Sequence, residues 1–290
     1  MSPMHESDSL RRQYDDRACL HLRQEIHDRY SVPRIDFPEW VLSRVHWRGD
    51  ERLLDVGSGS GAYDAPLRRR WPNVQAVAVD QSLHMLEAHP RRATTAAADA
   101  LRLPFPRAMF DVVMANHMLY HVSDIESALR EFRRVLKPDG ILITATNSLQ
   151  TMPELNALLR RAIMLLSGPG NLYAQPPMPI HHLYALENGV RYLARHFYAV
   201  VRHDLPQMLV FHEADPVIAY FESWRPMVEP QLPAGIDWSA LMLVMREQVE
   251  RMLGHFGELS VNKISGVLVA SDRGGFIRDF QRLCHPDPMR

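Results

Sequence analysis

Cysteine is nearly absent. The 290 residues hold two, Cys19 and Cys284, with no CxxC spacing and no disulfide framework, which points to a reducing compartment. Long apolar runs are missing too. No stretch reaches the ~20 residues that span a bilayer, and the opening MSPMHESDSLRRQYDD is polar and charged, without the apolar core of a signal peptide. Neither sign of charge is in excess: Lys and Arg number 33 against 34 Asp and Glu, for a net charge of −1. A nucleic-acid binder needs a concentrated basic face, and clusters such as Arg68-Arg69-Arg70 read as solvated helix surface. These absences predict a soluble cytoplasmic protein that engages neither nucleic acid nor membrane.

What the chain does have is alternation. From about residue 50 to Asn147, short apolar runs (RLLDV, AVAVD, ATTAAAD, FDVVMAN, ILITAT) are separated by helical segments. That pattern predicts an α/β fold, a Rossmann-like, doubly wound and mostly parallel sheet. ATTAAAD lacks large aliphatics and belongs near a sheet edge. SDIESALREFRRVL is the clearest helix, with Ile125, Ala128, Leu129, Phe132, Val135 and Leu136 on one face and a capping box from Ser123 and Glu126. The flanks are less regular. One or two helices are expected in residues 5–30, and helices at PELNALLRRAIMLL, LENGVRYLARHF, DPVIAYFESW and DWSALMLVMREQVERML. Strands are expected at YAVVRHD and ISGVLVAS. The chain reads as one domain: an N-terminal helical cap over residues 1–48, a cofactor-binding core over 49–147, a lid and acceptor-pocket region over 148–260, and a final strand and tail over 261–290.

Within this pattern, LLDVGSGSG places Gly57, Gly59 and Gly61 after the first strand and before a helix. Ligands of open parallel sheets bind at the carboxyl ends of the strands, and so many glycines in one turn imply close approach to the main chain. The spacing is GxGxG rather than the GxGxxG of dinucleotide sites, and no GK[ST] follows. Asp55 stands just ahead of the turn; it would repel a pyrophosphate and attract an ammonium. Asp80 ends the second strand, where its carboxylate can accept from both ribose hydroxyls, and Asp99 ends the third, in reach of an exocyclic adenine amine. An amino acid, a ribose and an adenine together describe S-adenosylmethionine.

LLDVGSGSG, AVAVDQS, AADALRLPF, FDVVMANHMLYHV and LREFRRVLKPDGILITATN resemble, in order, the motifs of class I S-adenosylmethionine-dependent methyltransferases. RACLHLRQEIHDRYSVP, HHLYALENGVRYL and KISGVLVAS are similar to the flanks of a bacterial small-molecule branch. The resemblance implies that Asp55 and Gly57 face the amino acid end of the cofactor and that Ser58, Gly59 and Gly61 shape the turn. It implies that Asp80 holds the ribose, Gln81 packs beside the adenine, Asp99 and Ala100 read its edge, and the Asn116 backbone touches the methionine portion. Tyr14 would close over the cofactor. Ser58 departs from the cysteine or alanine frequent there but is small enough to fit.

The implied reaction is methyl transfer to an O, N, S or C atom of a small molecule. It demands in-line alignment and exclusion of water, and a general base only where the acceptor carries a proton. His117 and Tyr120 are the catalytic candidates after the fourth strand. Tyr30, His121, Asn147, His182 and Tyr184 are candidates for lining the acceptor. His117 and His121, four apart, share a face if this segment is helical. Each has a bland rival reading as a packed or solvated side chain, and Asn147 as a turn cap. No metal site is expected. Two rival functions are a nicotinamide-dependent oxidoreductase, which the glycine spacing and Asp55 oppose, and a non-catalytic binding module, which the three aspartates oppose.

Overall fold

The computed structural model describes residues 17–91, 94–167 and 180–273. The chain divides into two compact units. One comprises residues 36–149, 180–205 and 265–290; the other comprises 1–35, 150–179 and 206–264.

Among the described residues, helix α1 (Arg17–Tyr30) leads into β1 (Ser31–Val32) and α2 (Phe37–Leu42). The alternating stretch then gives β2 (Arg52–Val56), α3 (Asp64–Arg70), β3 (Gln75–Asp80), α4 (Leu83–Glu87), β4 (Thr95–Ala97), β5 (Phe110–Met114), α5 (Ile125–Val135) and β6 (Leu136–Asn147). Helices α6 (Pro153–Ser167) and α7 (Leu186–Leu193), strand β7 (Ala199–Phe211), helices α8 (Ala214–Glu222), α9 (Arg225–Val228) and α10 (Trp238–Phe256), and strand β8 (Leu259–Ser271) follow. The sheet runs β1-β7-β8-β6-β5-β2-β3-β4. The pairs β2–β3, β2–β5, β3–β4 and β5–β6 are parallel, while β6–β8 and β1–β7 are antiparallel. The fold is therefore the α/β, mostly parallel arrangement expected, with β4 at its edge.

Physical reasons for the elements are local. In α5, Ile125, Ala128, Leu129, Phe132 and Val135 are buried along one stripe, the i, i+3, i+4, i+7 spacing of a helix laid on a sheet. The cap differs from expectation. Asp124, not Ser123, is the N-cap, and its carboxylate accepts from the Ser127 backbone N–H at 3.0 Å. Glu126 instead bonds His196 and Arg195, each at 2.5 Å, so α5 is tied to the chain beyond α7. Pro66 lies in the first turn of α3, where no intrahelical N–H is lost. The KPDG excursion is absorbed into β6: Phe110 pairs with Leu136 but Val112 pairs with Ile141.

In the unit of residues 36–149, Leu53, Val112, Met114 and Ile143 form part of one core with Val41, Leu42 and Leu67 from the helices. In the other unit, α6, α8 and α10 pack Leu155, Ile163, Phe221, Leu241 and Met245 together with Leu209 and Phe211 of β7. No described helix is long and apolar enough to cross a membrane.

Candidate active site

The end of β2 turns sharply into α3. Gly57, Gly59 and Gly61 have φ of +68°, +55° and +83°, the left-handed region that side chains disfavour. A Cβ on Gly57 would lie 2.7 Å from Met118, and one on Gly61 would lie 2.7 Å from His89. The turn is pinned to β3: Gly57 N–H donates to Val79 O at 2.8 Å, and Gly59 N–H donates to Asp80 Oδ2 at 2.8 Å. Asp80 Oδ1 accepts from Ser82 N–H at 2.8 Å. Each oxygen of Asp80 thus keeps a second lone pair for another donor.

Asp55 is 8% exposed, and no hydrogen bond reaches its carboxyl from the described residues. Burial, then the charges of Asp80 and Asp64, push its pKa up from 3.8 to about 7. Asp64 is differently placed, since Arg68 lies 2.7 Å and Arg91 3.8 Å from its carboxylate. The uncompensated negative charge is therefore at Asp55. Sequence reasoning missed what surrounds it. Asp55, Tyr63, Asp64, His89 and Thr94 help line a cavity of about 10 Å³, room for one water molecule. The Tyr63 hydroxyl there is buried without a partner, and burial pushes its pKa up. Burial likewise lowers that of His89. The available signal was an aspartate, Asp64, in the first turn of a helix, which reads from sequence as a routine terminal charge.

Other candidates gather at the same strand ends. Asn116 is buried; its Oδ1 accepts from Ala145 N–H at 2.8 Å, while Nδ2 is a buried donor without a partner. Ser58 Oγ is buried and unpartnered as well. Asp99 accepts from Leu101 N–H at 2.9 Å, next to buried Ala100. Gln81 is exposed, beside Leu83 at 67% exposure. His117 has φ +53°, and its ring lies 5.4 Å from that of Phe37. The helix-like turn covers only Leu119–His121, so His117 stands outside it and the two histidines do not share a helical face. Tyr120 and His121 contact each other at 4.3 Å between ring centroids.

Not every candidate joins this group. Tyr184 is 1% exposed and its hydroxyl pairs with Thr144 at 2.8 Å. It is a core residue, and the reading of it as an acceptor contact is corrected. Asn147 Oδ1 accepts from Ser265 at 2.9 Å, tying β6 to β8. His182 is half-buried, and its carbonyl accepts from Asn188. Tyr30 belongs to the other unit, where it packs 4.9 Å from Phe211. Tyr14 lies outside the described residues. Among the described residues no cluster of three or more His, Cys, Asp or Glu side chains could hold a metal.

Residues 54–144 match the family described as "Methyltransferase domain". This part of the chain is similar to methyltransferase domains. Relatives of the methyltransferase domain include malonyl-[acyl-carrier protein] O-methyltransferases. That of Xylella fastidiosa is 28% identical over 53% of this chain and 54% of its own length. That of Halorhodospira halophila is 34% identical over 51% of this chain and 48% of its own. The chain spans about half the length of the curated relatives it matches. A solved putative type II methyltransferase from Anaeromyxobacter dehalogenans superposes with a TM-score of 0.54 at 22% identity, over 82% of this chain and 94% of that one. The likeness establishes the Rossmann-like fold of the methyltransferase domain.

Proposed function

We propose that the protein transfers a methyl group from S-adenosylmethionine to a small-molecule acceptor. The observation that carries this reading is Asp55: a buried carboxylate without a cation, at the mouth of a left-handed glycine turn and close to Asp80. Burying an uncompensated charge is costly, and an α-ammonium offsets it. The residues fit the rest of the cofactor. Asp80 has free lone pairs for ribose hydroxyls, the Nδ2 donor of Asn116 and the Oγ of Ser58 are buried without partners, and Gln81 with Leu83 offers an exposed surface beside the adenine.

When bound, S-adenosylmethionine supplies a methyl group on a sulfonium that leaves as a neutral thioether. What the chain contributes is alignment. The glycine turn lets backbone approach closely, Asp55 orients the amino acid end, and Asp99 with Ala100 orients the adenine. Such positioning is worth up to ~7–11 kcal/mol of barrier in well-oriented systems. His117 and Tyr120 stand at the end of β5, where either can take a proton from an acceptor that carries one. The oxidoreductase and binding-module readings find no support in the family match.

Titration calorimetry with S-adenosylmethionine tests the cofactor, and Asp80→Asn tests the site while keeping the bond from Gly59 sterically possible. Strong binding lost in Asp80→Asn is expected; unchanged affinity refutes the assignment. A carboxylate acceptor, as in the malonyl-[acyl-carrier protein] relatives, is the first class to screen for turnover.

A further inference from the structure

Asp55, Tyr63, Asp64, His89 and Thr94 are the polar side chains that help line the cavity beside Asp55. Two of them are already engaged. Arg68 and Arg91 hold the Asp64 carboxylate at 2.7 and 3.8 Å, and the Thr94 hydroxyl donates to Arg91 O at 3.3 Å. The other three do not satisfy one another. The Tyr63 hydroxyl is buried and has no hydrogen-bond partner among the described residues, so it does not bond Asp55 directly, although Asp55 is the charge that acts on it most strongly.

His89 is 5% exposed, and its Nδ1 accepts from Arg91 N–H at 3.1 Å. Burial, helped by the charges of Arg91 and Arg68 and opposed by that of Asp64, holds its pKa below the usual value. The ring is therefore neutral with its proton on Nε2, the nitrogen that would stand 2.7 Å from a Cβ on Gly61. Two donors and one acidic acceptor are thus set around a space of about 10 Å³. A water molecule fits that volume and needs about two to four polar partners. The other walls are apolar, Leu53, Leu67 and Met114 among them, so a hydrogen bond made there is stronger than in bulk water.

We propose that Tyr63 and His89 are positioning residues that hold one water molecule against the Asp55 carboxylate and keep it the anion that receives an α-ammonium, that of S-adenosylmethionine in the methyl-transfer reading on which this role rests. The water accepts from Tyr63 O–H and His89 Nε2–H and donates to Asp55. The charges around Asp55 make such a donor necessary. Asp80 from β3 and Asp64 from α3 both oppose its ionisation, and Tyr120 and Asp36 face the Tyr63 phenol as well. The nearby cations Arg68 and Arg91 are engaged by Asp64. A tyrosine that only filled space here would bury its hydroxyl at a cost that phenylalanine avoids.

The first test needs no cofactor. Carbon-detected NMR titration of the full chain, isotope-labelled at aspartate Cγ and with the Asp55 signal assigned from Asp55→Asn, reads the carboxyl directly. In Tyr63→Phe it is expected to titrate about one pH unit higher than in the unaltered protein, the scale of one hydrogen bond to a charged group. His89→Leu is expected to raise it similarly, and His89→Gln, whose amide keeps a donor in place of Nε2–H, to restore it. A titration that Tyr63→Phe leaves unmoved, or that His89→Gln moves as far as His89→Leu, overturns the proposal. A crystal structure of the unaltered protein depends on no variant: density for a water within hydrogen-bond distance of both Asp55 and Tyr63 is expected, and its absence overturns the site. In calorimetry with S-adenosylmethionine, Tyr63→Phe should lose more affinity at pH ~6 than at pH ~8; equal losses would mark a residue that only packs. Failure of the unaltered protein to bind the cofactor refutes the methyl-transfer reading and leaves titration and density to judge the water site.

Discussion

Asp55 and Lys263 are opposite cases of one physical situation. Asp55 is buried and Lys263 half-buried, no counter-charge among the described residues is in contact with either, and burial moves each toward its neutral form, the carboxyl up to about 7 and the ammonium down to about 8. Asp64 and Glu126 show the alternative. Both are acidic and both have basic partners at ion-pairing distance. At Asp55 the missing partner is one that a cationic ligand group would supply.

The largest effect that would sharpen this contrast is at Asp55. Asp55→Asn should weaken S-adenosylmethionine binding by about 100-fold, the scale of a charged hydrogen bond, measured by calorimetry. The same variant should be more stable above neutral pH. The folded state holds the Asp55 proton more tightly than the unfolded chain, so native stability falls as pH rises from 3.8 to about 7. Removing the charge removes that loss, and thermal unfolding at pH 8 reads it. A variant less stable at pH 8 breaks the argument.

Next comes the pH profile of cofactor binding. Cofactor affinity, needing the ionised Asp55, should decline by about tenfold per unit below pH ~7. An affinity that does not change between pH 5 and pH 7 would show that Asp55 does not act as described. A smaller effect is expected for Gly57→Ala, which forces a left-handed alanine with its Cβ 2.7 Å from Met118; a loss of about 1–3 kcal/mol in denaturant unfolding is expected. Smallest is Asp124→Ala, which removes the α5 cap and should cost about 1 kcal/mol, with cofactor affinity unchanged.

The parallel half of the sheet was legible because each strand is a short apolar run closed by a turn, and β4 could be placed at the edge from its lack of large aliphatics. Strand β7 was legible only in part. Reading stopped near Asp204, since proline rarely continues a strand, yet β7 runs on through exposed Pro206 to Phe211. It can do so because β1 pairs only with Met208 and Leu209, beyond the proline. The cap of α5 was misplaced by one residue because Ser123 and Asp124 are both good caps and only backbone geometry separates them. Asp55 and the glycine turn could be found from spacing alone. The company Asp55 keeps in Tyr63 and His89 could not, because it depends on which way a helix and a loop turn over the sheet. The half-burial of Lys263 was invisible, in one lysine of an otherwise ordinary strand.

The left-handed backbone at His117 has an experimental use. Glycine adopts that conformation without strain, so His117→Gly would delete an imidazole and leave the main chain on its path. Imidazole added to the solution could then occupy the vacated place. Whether turnover returns with it would tell a proton carrier from a side chain that only fills space.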